Sequence, residues 1–349
     1  MIYRIDRRKL IGGAAAFGAG LAMPAIVRAQ SQTLVAATFP GTWNEADRNV
    51  ISPAFKAATG ASVTQSIVLG TDQVARLTAA KGNRPPFDVA FFDTPQVLDA
   101  VKDGLIVEYP AAKSPNFSTL IPKFQDKWGP KITMQVIGIG YNPKKITTPP
   151  KSWDDLWDPK YKGRVGLTAL NSQLGIAFLA ELNRIKGGNE TDFEPAFKAL
   201  RELLPNVGAI GANLGAFATL WQQEQIDIAP YNFNFVQTLK AKDVPVEFAI
   251  PDTGAAGWET SLHLVANAAE PDLAVKYIDL HLDPAIQAQV LKPPYDVIPT
   301  SSKVALEGAI TKSLAKTQDD LAKVRGFDWA KLNPQRGALI ERFNREIKA

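Results

Sequence analysis

The sequence predicts an α/β protein of two lobes, each a mostly parallel sheet flanked by helices. Three observations carry this. Short β-branched or apolar runs alternate with helical segments along most of the chain, the pattern of a sheet covered on both faces. An apolar share of 46% is that of an ordered globular protein. The 349 residues exceed what one hydrophobic core usually serves.

The elements follow in order. Residues 34–38 read as a strand, 45–59 as a helix and 63–68 as a second strand. A helix is expected over 72–80, a strand over 87–92, and a helix over 95–102 that Pro95 opens and Gly104 ends. A strand at 136–141 precedes a Pro-rich stretch, 143–150, where the first crossing between lobes is expected. The second lobe then supplies a strand at 165–168, helices near 172–185, 192–203 and 213–223, and strands at 226–231 and 246–250. Gly254, Gly257 and Trp258 lead into a further strand, and residues 261–266 return the chain to the first lobe, where a helix over 271–282 packs. The expected division is 30–138 plus 262–312 for lobe 1, 139–261 for lobe 2, and a C-terminal helical segment at 313–349.

Residues 1–29 read as an export signal. Arg4, Arg7, Arg8 and Lys9 precede an uncharged run from 10 to 27, and Arg28-Ala29 marks a processing site. The Arg7-Arg8 pair and the glycines at 12, 13, 18 and 20 fit a twin-arginine signal. The competing reading, a membrane anchor, is weakened by those glycines and by Pro24. The expected compartment is the periplasm, which the absence of Cys suits.

The formal charge of +4 resides in that leader, because residues 30–349 carry 34 basic and 34 acidic side chains. A neutral body lacks the electrostatic attraction that dominates nucleic-acid affinity, so no nucleic-acid partner is expected. With two His and no Cys, a dedicated metal site is not expected either; His263 and His281 read as structural residues. No P-loop, GxSxG or GxGxxG pattern is present. No cofactor is expected, and an enzyme is the minority reading. Gly138-Ile139-Gly140 reads as a hinge or a site of close packing.

Ligands of open α/β sheets bind in the loops after the strands. That rule selects Trp43 and Glu45 after the first strand, Asp93 after the third, and Asn171 and Tyr231 after later ones. Trp258 stands before a hinge strand, Thr260 follows it by two, and Tyr295 lies in the loop Pro293-Pro294-Tyr295-Asp296. Each has a plainer use. Asp93 can cap the helix that Pro95 opens, Glu45 can serve its helix's first turn, and Tyr231 and Tyr295 can be packing residues.

The segment Ser152-Trp153-Asp154-Asp155-Leu156-Trp157-Asp158-Pro159-Lys160-Tyr161-Lys162-Gly163 resembles the periplasmic solute-binding proteins of ABC importers, in their spermidine/putrescine-type group. The similarity extends to Phe87-Asp88-Val89, Leu203-Leu204-Pro205-Asn206-Val207 and Ile298-Pro299-Thr300. Trp43, Glu45 and Gly60-Ala61 reproduce the family's spacing, Trp258 matches its aromatic wall, and Tyr231 replaces a further Trp. The resemblance implies a two-lobed periplasmic-binding-protein fold of type II that closes on a solute and delivers it, as a monomer, to a membrane permease. Trp153 and Trp157 are read as packing residues.

The departures concern charge. Polyamine binders of that group place an acid two residues beyond the Trp, where this chain has Thr260, and acids where it has Leu170, Asn171 and Gln173. A buried polycation needs matching carboxylates. The expected ligand is therefore a small organic amine or an amino-acid-like solute, held by Trp43 and Trp258, by Glu45 or Asp93, and by amides at Asn171, Gln173, Asn232 and Asn234. A polyamine is the alternative.

Overall fold

In the computed structural model, which describes residues 32–348, nine strands form one mixed sheet. The expected export signal lies outside the described residues. The strands are β1 (Thr33–Thr38), β2 (Ser62–Ile67), β3 (Val89–Asp93), β4 (Lys131–Tyr141), β5 (Val165–Thr168), β6 (Val207–Gly211), β7 (Ile228–Asn232), β8 (Glu247–Ala249) and β9 (Ala256–Leu264). Their order is β2-β1-β3-β9-β4-β7-β5-β6, with β8 paired to β4.

Two parallel trios, β2-β1-β3 and β7-β5-β6, occupy the two halves of the sheet. Between them β9 and β4 run antiparallel to their neighbours and to each other. β4 begins at Lys131, earlier than the sequence pattern indicates, and is continuous from its pairing with β9 to its pairing with β7 and β8. The two halves are thus joined by regular strand upstream of the Pro-rich stretch. β5, β7 and β9 are buried along their whole length, as strands covered on both faces must be.

Local chemistry explains the elements around the site. The first helical stretch, Thr42–Ala46 and Ser52–Thr59, contains a π-helical insert at Asp47–Ile51. The Asp47 carboxylate is buried there and accepts from the Tyr277 hydroxyl at 2.6 Å and the Ser52 hydroxyl at 3.0 Å. The stretch ends at Gly60, whose φ of 74° is left-handed. Ser152 and Asp155 form a capping box on the short helix Trp153–Trp157, and Trp153 is fully buried. The motif that carries the family resemblance is therefore structural.

The C-terminal segment ties both halves together. The Lys123 ammonium donates to the Val324 carbonyl, and Arg325 bridges to the start of β9, donating to Ala255 O at 3.0 Å and accepting from Gly257 N–H at 2.9 Å. Its guanidinium grips the buried Glu181 carboxylate at 2.8 and 3.0 Å. Farther on, the Asn333 amide donates to Pro95 O at 3.0 Å, and the helix Arg336–Glu346 begins. Among the described residues no helix is long and apolar enough to cross a membrane.

Candidate functional site

Strand register assembles the site. Opposite residues of an antiparallel pair share a face, and so do residues two apart on one strand. Asp93 on β3 faces Thr260 on β9; Trp258 lies two residues before Thr260 and faces Gln135 on β4. Ile137, two residues beyond Gln135, faces Asn232 on β7. One face of the sheet therefore carries Asp93, Thr260, Trp258, Gln135 and Asn232 in a row across both halves.

This row is polar and incompletely paired; Thr260, Trp258 and Asn232 are buried, and Asp93 and Gln135 are half-buried. The Thr260 hydroxyl donates to Asp93 Oδ1 at 2.6 Å. Trp258 Nε1, Gln135 Oε1 and both amide atoms of Asn232 are buried with no hydrogen-bond partner. Buried polar groups are ordinarily paired, and each one left alone costs about 1–3 kcal/mol. The row therefore holds hydrogen-bonding capacity that no described residue uses.

Burial pushes the Asp93 carboxyl up to about 6; the Thr260 hydrogen bond, the nearby Trp258 indole N–H and the field of Arg336 limit the rise. Although Asp93 is the N-cap residue of the helix Thr94–Lys102, its side chain caps no amide. The carboxylate is turned to β9 instead. Glu259, one residue out of phase with Trp258 and Thr260, is buried and ion-paired to Lys123 at 3.8 Å.

Arg336 approaches from the C-terminal helix. Its Nη1 donates to Gln173 Oε1 at 3.0 Å and its Nη2 to Asn171 O at 3.2 Å. Burial lowers its pKa, opposed by the charges of Asp93 and Asp99. Both hydrogen-bond acceptors are neutral, and among the described residues no carboxylate stands within ion-pair distance.

The residues expected from sequence distribute unevenly. Asp93, Thr260 and Trp258 are brought together. Asn171 is exposed and contributes its carbonyl to Arg336. Tyr231 lies on the opposite face from its neighbour Asn232, enclosed by Phe217, Trp221 and Phe235 with ring centroids 5.2, 5.9 and 6.1 Å away. Burial raises its hydroxyl pKa.

Trp43 is half-buried and meets the edge of Phe91 at 5.0 Å. It lines, with His281, Ile132 and Val290, a small apolar cavity. Tyr295 packs with Ala46, Val290 and Val297, and its hydroxyl accepts from Asn49 at 3.2 Å. Glu45 is exposed in the first turn of its helix.

His263 is fully buried between the Ser261 hydroxyl at 2.7 Å and the Trp128 carbonyl at 2.9 Å, and burial pushes it down to about 4. His281 is likewise buried and lowered. Among the described residues no group of three His, Asp or Glu side chains converges as a metal site.

Sequence reasoning missed two members. Gln135 is the lone amide in β4, between Met134 and Val136, a signal that was present. Arg336 carries no local signal, because 243 positions separate it from Asp93 and only folding brings their fields together.

Comparison with known proteins agrees with this architecture. Residues 84–333 match the family model described as bacterial extracellular solute-binding protein. The spermidine/putrescine-binding periplasmic protein of Escherichia coli is 26% identical over 282 residues, 75% of this chain and 78% of that protein. The gamma-aminobutyric acid-binding protein of Pseudomonas aeruginosa is 23% identical over 334 residues, 93% and 94% of the two chains. A spermidine/putrescine ABC transporter substrate-binding protein from Streptococcus pneumoniae superposes with a TM-score of 0.74 at 17% identity, over 91% of this chain and 100% of that one. The fold is the two-lobed, type II fold of such proteins.

Proposed function

The chain belongs to the bacterial extracellular solute-binding protein family, and from that premise we propose that it captures a small organic amine or amino-acid-like solute between its two lobes. One observation carries the reading: Asp93, Thr260, Trp258, Gln135 and Asn232 form a single polar row, and several of its members lack partners. Asp93 supplies the negative charge for an ammonium group. Trp258 supplies an indole face, worth about 0.5–2 kcal/mol against a desolvated cation.

In this reading lobe 1 comprises residues 30–138 plus 262–312 and lobe 2 residues 139–261; the continuity of β4 and β9 between the two halves of the sheet supports two crossings. Residues 1–29 export the chain to the periplasm through a cleaved twin-arginine signal. The loaded, closed form then delivers its solute to an inner-membrane ABC permease. Binding contacts on both lobes drive closure, since a ligand shifts a conformational equilibrium only by its differential affinity for the two states.

The test uses purified residues 30–349. A panel of amines, amino acids and polyamines is screened for a rise in melting temperature, alongside mass spectrometry of any small molecule that copurifies. One compound raising the melting temperature in a dose-dependent way supports the reading; silence across the panel with no copurifying solute defeats it. A polyamine is the second reading, favoured by the Escherichia coli relative, whose name assigns it spermidine and putrescine.

A further inference from the structure

We propose that Arg336 is a carboxylate-recognising residue of this site, and that the cargo is a zwitterion, with an ammonium group at Asp93 and a carboxylate at Arg336. The inference rests on the interlobe solute reading and narrows it to a substrate class.

Arg336 is singular among the described arginines. Arg164, Arg184, Arg201, Arg325, Arg342 and Arg345 each pair with an acid. Arg48, Arg76 and Arg84 are exposed to water. Arg336 is partly buried and, among the described residues, has no acid within ion-pair distance. A guanidinium taken out of water without a counter-ion is costly unless something else supplies the anion.

Its fork is also held in place by the protein. Gln173 Oε1 and the Asn171 carbonyl occupy one hydrogen on each Nη. Three of the five guanidinium donors remain, enough for the two-pronged contact that a carboxylate makes with arginine. Gln173 opens the helix Gln173–Ile185 and Asn171 lies in the loop before it, so the fork is anchored on the half of the sheet opposite Asp93.

Charge balance then selects the cargo. Glu259 is already neutralised by Lys123 at 3.8 Å. Asp99, the other acid that feels Arg336, is exposed on the helix Thr94–Lys102 and screened by water. The row is left with one uncompensated anion, Asp93, and one uncompensated cation, Arg336, and the backbone brings the two segments together: Asn333, three residues before Arg336, donates to the carbonyl of Pro95, two residues beyond Asp93, at 3.0 Å. A molecule carrying both charges satisfies both. A diamine satisfies Asp93 alone and sets its second ammonium against Arg336. This explains why an acid is not needed at position 260, where a hydroxyl suffices to orient Asp93.

The experiment is calorimetric titration of residues 30–349 with α- and ω-amino acids of three to six carbons, the monoamines of the same lengths, and putrescine. The best amino acid is expected to bind at least tenfold tighter than its matched monoamine and than putrescine. Arg336→Gln is expected to collapse the amino-acid-to-amine ratio to within about threefold. Arg336→Lys, which keeps the charge and loses the fork, is expected to fall between.

A merely structural Arg336 would weaken both ligand classes in parallel and leave the ratio intact, which would overturn the proposal. Tighter binding of a monoamine or putrescine by the unmodified protein would overturn the zwitterion and leave the solute-capture reading standing. Binding of no compound in the panel would defeat the amine-or-amino-acid reading and the proposal with it.

Discussion

The Thr260 hydroxyl donates to Asp93 Oδ1 at 2.6 Å, joining the return strand β9 to the carboxyl end of β3. The bond orients the carboxylate and occupies part of its acceptor capacity without adding a second charge. Asp93 is the one ionisable side chain of the five in the polar row, and its protonation state governs the first predictions.

Affinity for an ammonium-bearing solute is expected to fall on acidification. Asp93, pushed up to about 6 by burial, is ionised at pH 7.5 and mostly protonated at pH 5. The dissociation constant should rise about tenfold between those values, since each pH unit below the pKa costs up to a factor of ten in the ionised fraction. Titrations at pH 5, 6, 7 and 8 check this; Asp93→Asn should bind more weakly at pH 8 and show a flat profile.

The same group predicts the opposite trend for stability without ligand. A carboxyl whose folded pKa is raised to about 6 from 3.8 holds its proton more tightly in the folded state. Stability from this group is full below pH 4 and is lost as pH rises through 6. Asp93→Asn should therefore stabilise the unliganded protein by roughly 1–3 kcal/mol at pH 8 and by little at pH 4, measured by urea unfolding.

His263 should produce the reverse slope. Burial holds it at about 4 against an unfolded 6.5, so the unfolded chain binds the extra proton between those values. Its contribution is complete above pH 6.5 and is lost as pH falls through 4, up to roughly 3 kcal/mol. His281, also lowered by burial, gives a slope of the same sign, so the contribution of His263 is the difference in urea unfolding between pH 7 and pH 4.5 with and without His263→Gln, in an Asp93→Asn background. His263→Gln should reduce the slope.

Gly257 tests the β4–β9 contact. A Cβ there would be driven into the Gln135 carbonyl of the partner strand. Gly257→Ala should cost about 1–3 kcal/mol or prevent folding. Gly326→Ala, where a Cβ meets nothing within 4 Å, is the neutral control in the same melting experiment.

Trp258→Phe keeps an aromatic face and removes the indole N–H, which is buried near Asp93 without a hydrogen bond of normal geometry. Solute affinity should drop about five- to tenfold, near the 0.5–1.5 kcal/mol of one neutral hydrogen bond. The melting temperature of the unliganded protein should change by only a few degrees. An unchanged titration would remove the Trp258 N–H from the site.

Much of this architecture is written locally. The alternation of strand and helix, the capping box at Ser152 and the stop at Gly60 each depend on residues within a few positions of one another. Period-two patterning likewise marks Trp258 and Thr260 as sharing a face, and the chemistry of Asp93 is visible in its type and place. These features are legible because short-range sterics and hydrogen bonding dictate them.

Phase and partnership are not local. Whether Tyr231 or Asn232 joins the polar row depends on which residue of β7 faces Ile137, and a shift of one residue exchanges them. The antiparallel centre of the sheet, the pairing of Glu259 with Lys123, and the approach of Arg336 to Asp93 all arise from contacts between distant segments. The chain's own order specified which side chains were available; long-range strand register and the docking of the C-terminal helix decided which of them share a buried space, and burial is what sets their charges to work.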